Sequence, residues 1–145
     1  MKTLSYSVEV EAPVESLWKC IVDQEKYKIW IKAFSENSYM KGKWGLGETV
    51  YFLDDNMGGT KAEITQFEEF KLIEATHTAM VTKEGTEETT GDMTEKWIGT
   101  KESYIFETTD TGSKMTLKVT THEDFVEMFE SASPKAMENI RSLCV

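Results

Sequence analysis

HEDFVEMFESASPKAMENIRSL, residues 122–143, is the stretch whose reading decides the fold. Phe125, Met128, Phe129 and Ala132 recur at helical spacing, and Ala136, Met137, Ile140, Leu143 and Cys144 extend the apolar stripe. Between them, Ser133 and Pro134 form an N-cap and first-turn pair, so the segment is either one bent helix or two consecutive ones. Upstream, from Phe34 to His122, the pattern is almost entirely strand and turn. A run of strands followed by an amphipathic helix predicts an α+β domain, with a curved antiparallel sheet of six to seven strands closed over a long C-terminal helix. That shape commonly leaves a cavity underneath the helix.

The N-terminal end completes the pattern. Leu4, Tyr6, Val8, Val10 and Ala12 alternate with polar residues, as in a half-buried strand, and Pro13 then ends strand pairing and suits a first helical turn. Val14, Leu17, Trp18, Ile21 and Val22 make one helical face, and Asp23 is placed to cap a second short helix through Tyr27 and Trp30. In the middle, residues 43–47 (KWGLG) and 54–59 (DDNMGG) read as turns around a strand bearing Val50 and Phe52. A further strand starts at Ala62 and Ile64 and slips phase at Phe67, which implies a bulge or bend. Ile73, Ala75, His77, Ala79 and Val81 share one face of the next strand. Tyr104 and Phe106, the turn Asp110-Thr111-Gly112, and Met115, Leu117 and Val119 form a hairpin. Between Lys83 and Glu95 only Met93 is apolar, so a mobile loop is expected there.

Composition excludes several roles. A chain of 145 residues fits one domain, 1–145, and a net charge of −10 repels nucleic acid and anionic lipid surfaces. Cys20 and Cys144 sit at opposite ends of the sequence, which suggests neither a disulfide framework nor a zinc site but two reduced thiols. The opening residues lack an apolar signal core, and no run approaches the roughly 18 apolar residues of a membrane span, so the expected location is the cytoplasm.

Candidate chemistry is sparse. His77 falls in phase with the inward face of its strand, where it is either a ligand contact or proton-transfer group, or a hydrogen-bonded histidine of the core. His122 lies at the junction of strand and helix, at the rim or in solvent. No metal site is expected: the histidines and cysteines are dispersed, and Asp54-Asp55-Asn56 lacks the 12-residue calcium loop and its terminal Glu. GxSxG and phosphate-cradling glycine loops are absent, and no cofactor is implied. The expected ligand wall comprises Trp30, Phe52, His77, Tyr104, Phe106, Phe129, Met137 and Ile140, since small-molecule pockets are lined mainly by apolar and aromatic groups.

VEVEAPVESLWKCIVDQEKYKIW (8–30), the glycine turn Trp44-Gly45-Leu46-Gly47, the strand end Lys118–His122 and the closing segment to Leu143 together resemble the START-related superfamily. That superfamily includes birch-pollen-allergen-like proteins and polyketide cyclases. Within it, the chain looks most like the homologues of the activator of the ninety-kilodalton heat-shock chaperone's ATPase. The resemblance covers essentially the whole chain and implies a helix-grip fold around an apolar pocket. The first expectation is binding of a small hydrophobic or amphipathic ligand by a monomer or weak dimer. The alternatives are a cyclase or dehydratase using His77, and an interaction module that stimulates a chaperone ATPase. The superfamily shares no catalytic motif to carry over, so function must be argued from the site.

Overall fold

The computed structural model describes residues 1–55 and 58–144. Its strands are β1 (Lys2–Val10), β2 (Ser38–Gly42), β3 (Thr49–Asp54), β4 (Gly58–Glu68), β5 (Leu72–Val81), β6 (Glu87–Glu88), β7 (Lys101–Thr108) and β8 (Ser113–Thr121). Its helices are α1 (Val14–Val22), α2 (Gln24–Trp30), α3 (Asp92–Trp97) and α4 (Val126–Leu143). Seven strands run in the order β1-β8-β7-β5-β4-β3-β2, all neighbours antiparallel, and β6 pairs with β5 off that path.

This order explains the shape. β1 and β2 are consecutive strands in the chain but lie at opposite edges of the sheet, and α1 and α2 bridge between them. Side-chain alternation then puts one face of every strand inward. On β5 the expected set Ile73, Ala75, His77, Ala79 and Val81 is buried throughout, and on β8 Met115, Leu117 and Val119 are buried. β4 shifts register twice, between Lys61 and Ala62 and between Ile64 and Gln66. The expected irregularity near Phe67 is thus one of two, and the strand begins at Gly58 rather than Ala62. Bulges of this kind add local twist and let a sheet curl. At the start of β4, a Cβ on Gly59 would collide with the Phe52 carbonyl, so the β3–β4 hairpin approaches too closely there for a side chain. The turn expected over 54–59 falls partly on residues 56 and 57, outside the described residues.

α4 crosses the concave face and packs on β1, α2 and the 3-10 turn Ile31–Ala33. It is continuous across Pro134, so the Ser133–Pro134 pair does not begin a new helix. Ser133 is buried instead of capping, while Pro134 lies on the exposed side, where its missing N–H deprives only the Glu130 carbonyl. A second difference concerns residues 83–95. Rather than a bare loop, the chain forms β6 and then α3, because Trp97 just beyond the polar run is buried and draws the helix inward. Lys61 Nζ and Tyr51 Oη donate to the Glu87 carboxylate at 2.8 and 3.2 Å, which ties β6 down as well. No helix among the described residues is long and apolar enough to cross a membrane.

The α1–α2 junction follows the expected capping. Asp23 Oδ1 accepts from the N–H groups of Glu25 and Lys26 at 2.9 and 3.3 Å, satisfying two donors that a helix start otherwise leaves open. Asp23→Ala is expected to cost about 1 kcal/mol. Urea denaturation followed by circular dichroism checks this, with the slope unchanged and the midpoint lowered.

Candidate functional site

Between the concave sheet and the helices lies a cavity of about 270 Å³. Its walls are mostly apolar: Trp30 from α2, Phe52 from β3, Met80 from β5, Trp97 from α3, and Phe125 and Phe129 at the start of α4. Polar residues interrupt that surface: Tyr27, His77, Glu102 and Tyr104, and, on β2, β3 and β4, Ser38, Tyr39, Asp54 and Thr60.

His77 is fixed by its backbone. Its N–H donates to the Thr100 carbonyl at 2.8 Å, and its own carbonyl accepts from Gly99 N–H at 2.9 Å, so β5 and the residues following α3 hold the residue from both sides. The imidazole sits between Trp97 and Phe52, with ring centroids 4.7 and 5.6 Å away. It is only 2% exposed, and neither ring nitrogen has a hydrogen-bond partner in the protein. The nearest charge is the Glu102 carboxylate, with Oε1 3.6 Å from Nε2. That is beyond the range of a good hydrogen bond.

Trp97 completes this corner. Its ring stacks on Phe129 at 6.2 Å with an interplanar angle of 8° and meets Phe125 edge-on at 5.0 Å. Its indole N–H is also buried without a protein partner. Trp30, by contrast, is satisfied, since its Nε1 donates to the Cys20 carbonyl at 2.7 Å. Tyr27 and Tyr104 are fully enclosed, and burial pushes both phenols well above their usual range. Tyr104 and Glu102 push Tyr27 further, and Glu102 does the same to Tyr104. All three residues line the cavity.

Of the expected wall, Trp30, Phe52, His77, Tyr104 and Phe129 line the cavity, whereas Phe106, Met137 and Ile140 do not. Phe106 packs edge-on against Trp18 at 5.2 Å, on the α1 side of the sheet. Met137 and Ile140 lie where α4 has already closed onto α1 and α2, as the hydrogen bond from Asn139 Nδ2 to the Trp30 carbonyl at 3.3 Å shows. His122, expected at the rim or in solvent, is half-buried and does not line the cavity, and its Nδ1 accepts from Asp124 N–H at 3.0 Å. Sequence reading missed Trp97, hidden beyond the polar run, and Glu102. Glu102 did carry a signal, because it stands in phase with the inward Tyr104 and Phe106.

No protein-family model and no curated protein sequence matches the chain. Solved structures do. Protein MLL2253 from Mesorhizobium loti is similar with a TM-score of 0.74 at 15% identity, over 98% of this chain and 96% of that one. Protein NE0264 from Nitrosomonas europaea gives 0.70 at 14% identity, over 98% and 93%. The Aha1 dimer from Colwellia psychrerythraea gives 0.68 at 21% identity, over 99% and 94%. At such identities the likeness is one of fold alone, a curled antiparallel sheet with a long C-terminal helix.

Because both enclosed tyrosines strongly favour the neutral phenol, the native state holds protons that an unfolded chain releases as pH rises past about 10. The stability they contribute is fully present below that pH and is lost as pH climbs toward their raised native values. In a 295 nm absorbance titration, the Tyr27→Phe/Tyr104→Phe variant should follow the parent curve until alkaline unfolding. It should differ only in a smaller step at the unfolding transition. A difference at lower pH would contradict the enclosed state of the two phenols.

Proposed function

We propose that this chain binds a small amphipathic molecule, an apolar body carrying one hydrogen-bonding group, in the cavity between the sheet and α4. The observation that supports this best is the pair of buried, unpartnered polar groups, the His77 imidazole and the Trp97 indole N–H, set in a mostly apolar wall. Each such group left without a partner costs roughly 1–3 kcal/mol. A ligand that supplies partners recovers that cost, whereas a purely apolar one does not.

Magnitudes favour this division of labour. At about 270 Å³ the cavity is near the lower end of small-molecule sites, which run roughly 300–1,000 Å³. Burying ~300 Å² of ligand surface at ~25 cal/mol per Å² contributes about 8 kcal/mol gross. Lost translational and rotational freedom takes back at least ~4 kcal/mol of it. Apolar burial therefore retains many molecules weakly, and the polar contact at His77 and Trp97 selects among them.

His77→Phe separates the two roles of this residue. The ring is retained and the unpartnered nitrogens are removed, so the variant should be as stable as the parent or about 1 kcal/mol more stable. It should bind polar-headed ligands at least tenfold more weakly. Titrating ¹⁵N-labelled protein with medium-chain alcohols, carboxylic acids and phenols, and following the Trp97 indole resonance, reads both quantities when combined with thermal melts. An indole signal that no compound moves, or equal affinity in the variant, overturns the proposal.

A second reading is favoured by the 3.6 Å approach of Glu102 to His77 Nε2. A carboxylate beside an imidazole can orient it, which is the arrangement a proton-transfer step on a bound polyketide-like substrate requires. Glu102→Gln would then abolish turnover of such a substrate while leaving its binding intact. If no such substrate is converted by the parent protein, this reading fails and the binding reading stands.

A further inference from the structure

Cys20 lies on α1 and is fully buried, whereas Cys144 lies at the C-cap of α4 and is half-buried. Although 124 positions separate them in the chain, their Sγ atoms are 3.5 Å apart. Both are free thiols. We propose that this pair is a redox site, a dithiol that low-molecular-weight disulfides oxidise to an intramolecular disulfide fastening the end of α4 to α1.

Access and proton placement set the order of events. The hydrogen bond between the two sulfurs, together with burial, pushes the Cys20 thiol up. The same hydrogen bond, helped by the Lys26 charge, holds Cys144 below its usual range against the opposing effect of burial. Cys144 is therefore the sulfur more readily converted to thiolate, the form that attacks disulfides. Half-buried where Cys20 is fully buried, it is also the more exposed of the two residues. In the first step the Cys144 thiolate attacks one sulfur of RSSR, giving Cys144–S–S–R and releasing RS⁻. In the second, Cys20 Sγ attacks Cys144 Sγ, the mixed disulfide breaks, and the departing RS⁻ takes the Cys20 proton as RSH. Two protein thiols are oxidised and one RSSR is reduced to two thiols. Closing the gap from 3.5 Å to the roughly 2.05 Å of a disulfide needs about 1.5 Å of movement, asked of a side chain at a helix end rather than of the sheet.

The position of the pair gives the bond a consequence. The Cys20 carbonyl accepts from Trp30 Nε1, and the Trp30 carbonyl accepts from Asn139 of α4. Trp30 is a wall of the cavity. A Cys20–Cys144 bond would join covalently two helices that already grip the same tryptophan, fixing α4 over the sheet. This redox chemistry stands whether or not the cavity binds a ligand.

The test is intact-mass analysis of the full chain after incubation with glutathione disulfide. The expected product has lost two hydrogens, carries no glutathione, melts about 5 °C or more higher, and reverts with dithiothreitol. Cys20→Ala should stop at the mixed disulfide and retain one glutathione on Cys144. Cys144→Ser should remain unmodified, since Cys20 is out of reach. Parent protein that ends with glutathione on Cys144, or that does not react while folded, overturns the proposal irrespective of how the variants fold.

Discussion

The structure depends on a mismatch of shape between a straight helix and a sheet that curls away beneath it. At its C-terminal end α4 is closed onto α1 and α2, where Asn139 reaches the Trp30 carbonyl and Ile140 is fully buried. At its N-terminal end it is propped by Trp97, against which Phe125 and Phe129 pack. Along its flank, Tyr6 Oη donates to the Glu130 carboxylate at 2.6 Å, joining β1 to the helix. This contact and burial raise the Tyr6 phenol to about 12. A rigid rod supported in this way cannot follow a twisted surface along its whole length. The remaining space is the cavity, and Trp97 of α3 is one of its walls.

That makes α3 more than a connection. Its six residues are too few to be stable as an isolated helix, and its ionic contacts are exposed: Lys96 Nζ lies 2.8 Å from Asp124 and 3.5 Å from Asp92. Water screens such pairs, so they add little. Burying the Trp97 ring contributes about 3 kcal/mol and outweighs them. The same ring is a cavity wall, so the anchor that orders the segment also shapes the site. Removing it would loosen residues 83–97 and enlarge the cavity together.

How far the sequence discloses this follows from the same physics. Long periodic elements were legible because their apolar faces are one-sided. β5 alternates without a fault, and α1 and α4 show continuous stripes. What escaped was short or non-local. α3 has no room for a helical period, and the anchoring Trp97 lies at its last position, outside the polar run that drew attention. The Cys20–Cys144 proximity follows only from the tertiary path of α4, which no spacing rule encodes. Pro134 left two readings open, one helix or two. A single continuous helix buries Phe129, Ala136, Met137 and Ile140 together, and the cost is one missing hydrogen bond on the exposed side. Of the expected wall, Trp30, Phe52, His77, Tyr104 and Phe129 border the cavity, while Phe106, Met137 and Ile140 lie outside it, because an apolar inward position does not distinguish a packed neighbour from a hollow.

Glu102 shows how that distinction can be drawn. β7 presents Glu102, Tyr104 and Phe106 on one inward column, and a carboxylate in such a column would be prohibitively costly in a solid core. Here its side chain retains 16% exposure because the column borders the cavity instead of closing it. His77, on the adjacent strand, stands in an equally apolar column of β5 and faces the same space. Two ionisable residues that break an inward apolar pattern on neighbouring strands, and lie 3.6 Å apart, are poor material for stability. A sequence that keeps them forgoes packing energy at that spot, which is the local inconsistency expected where a surface serves a ligand rather than the core.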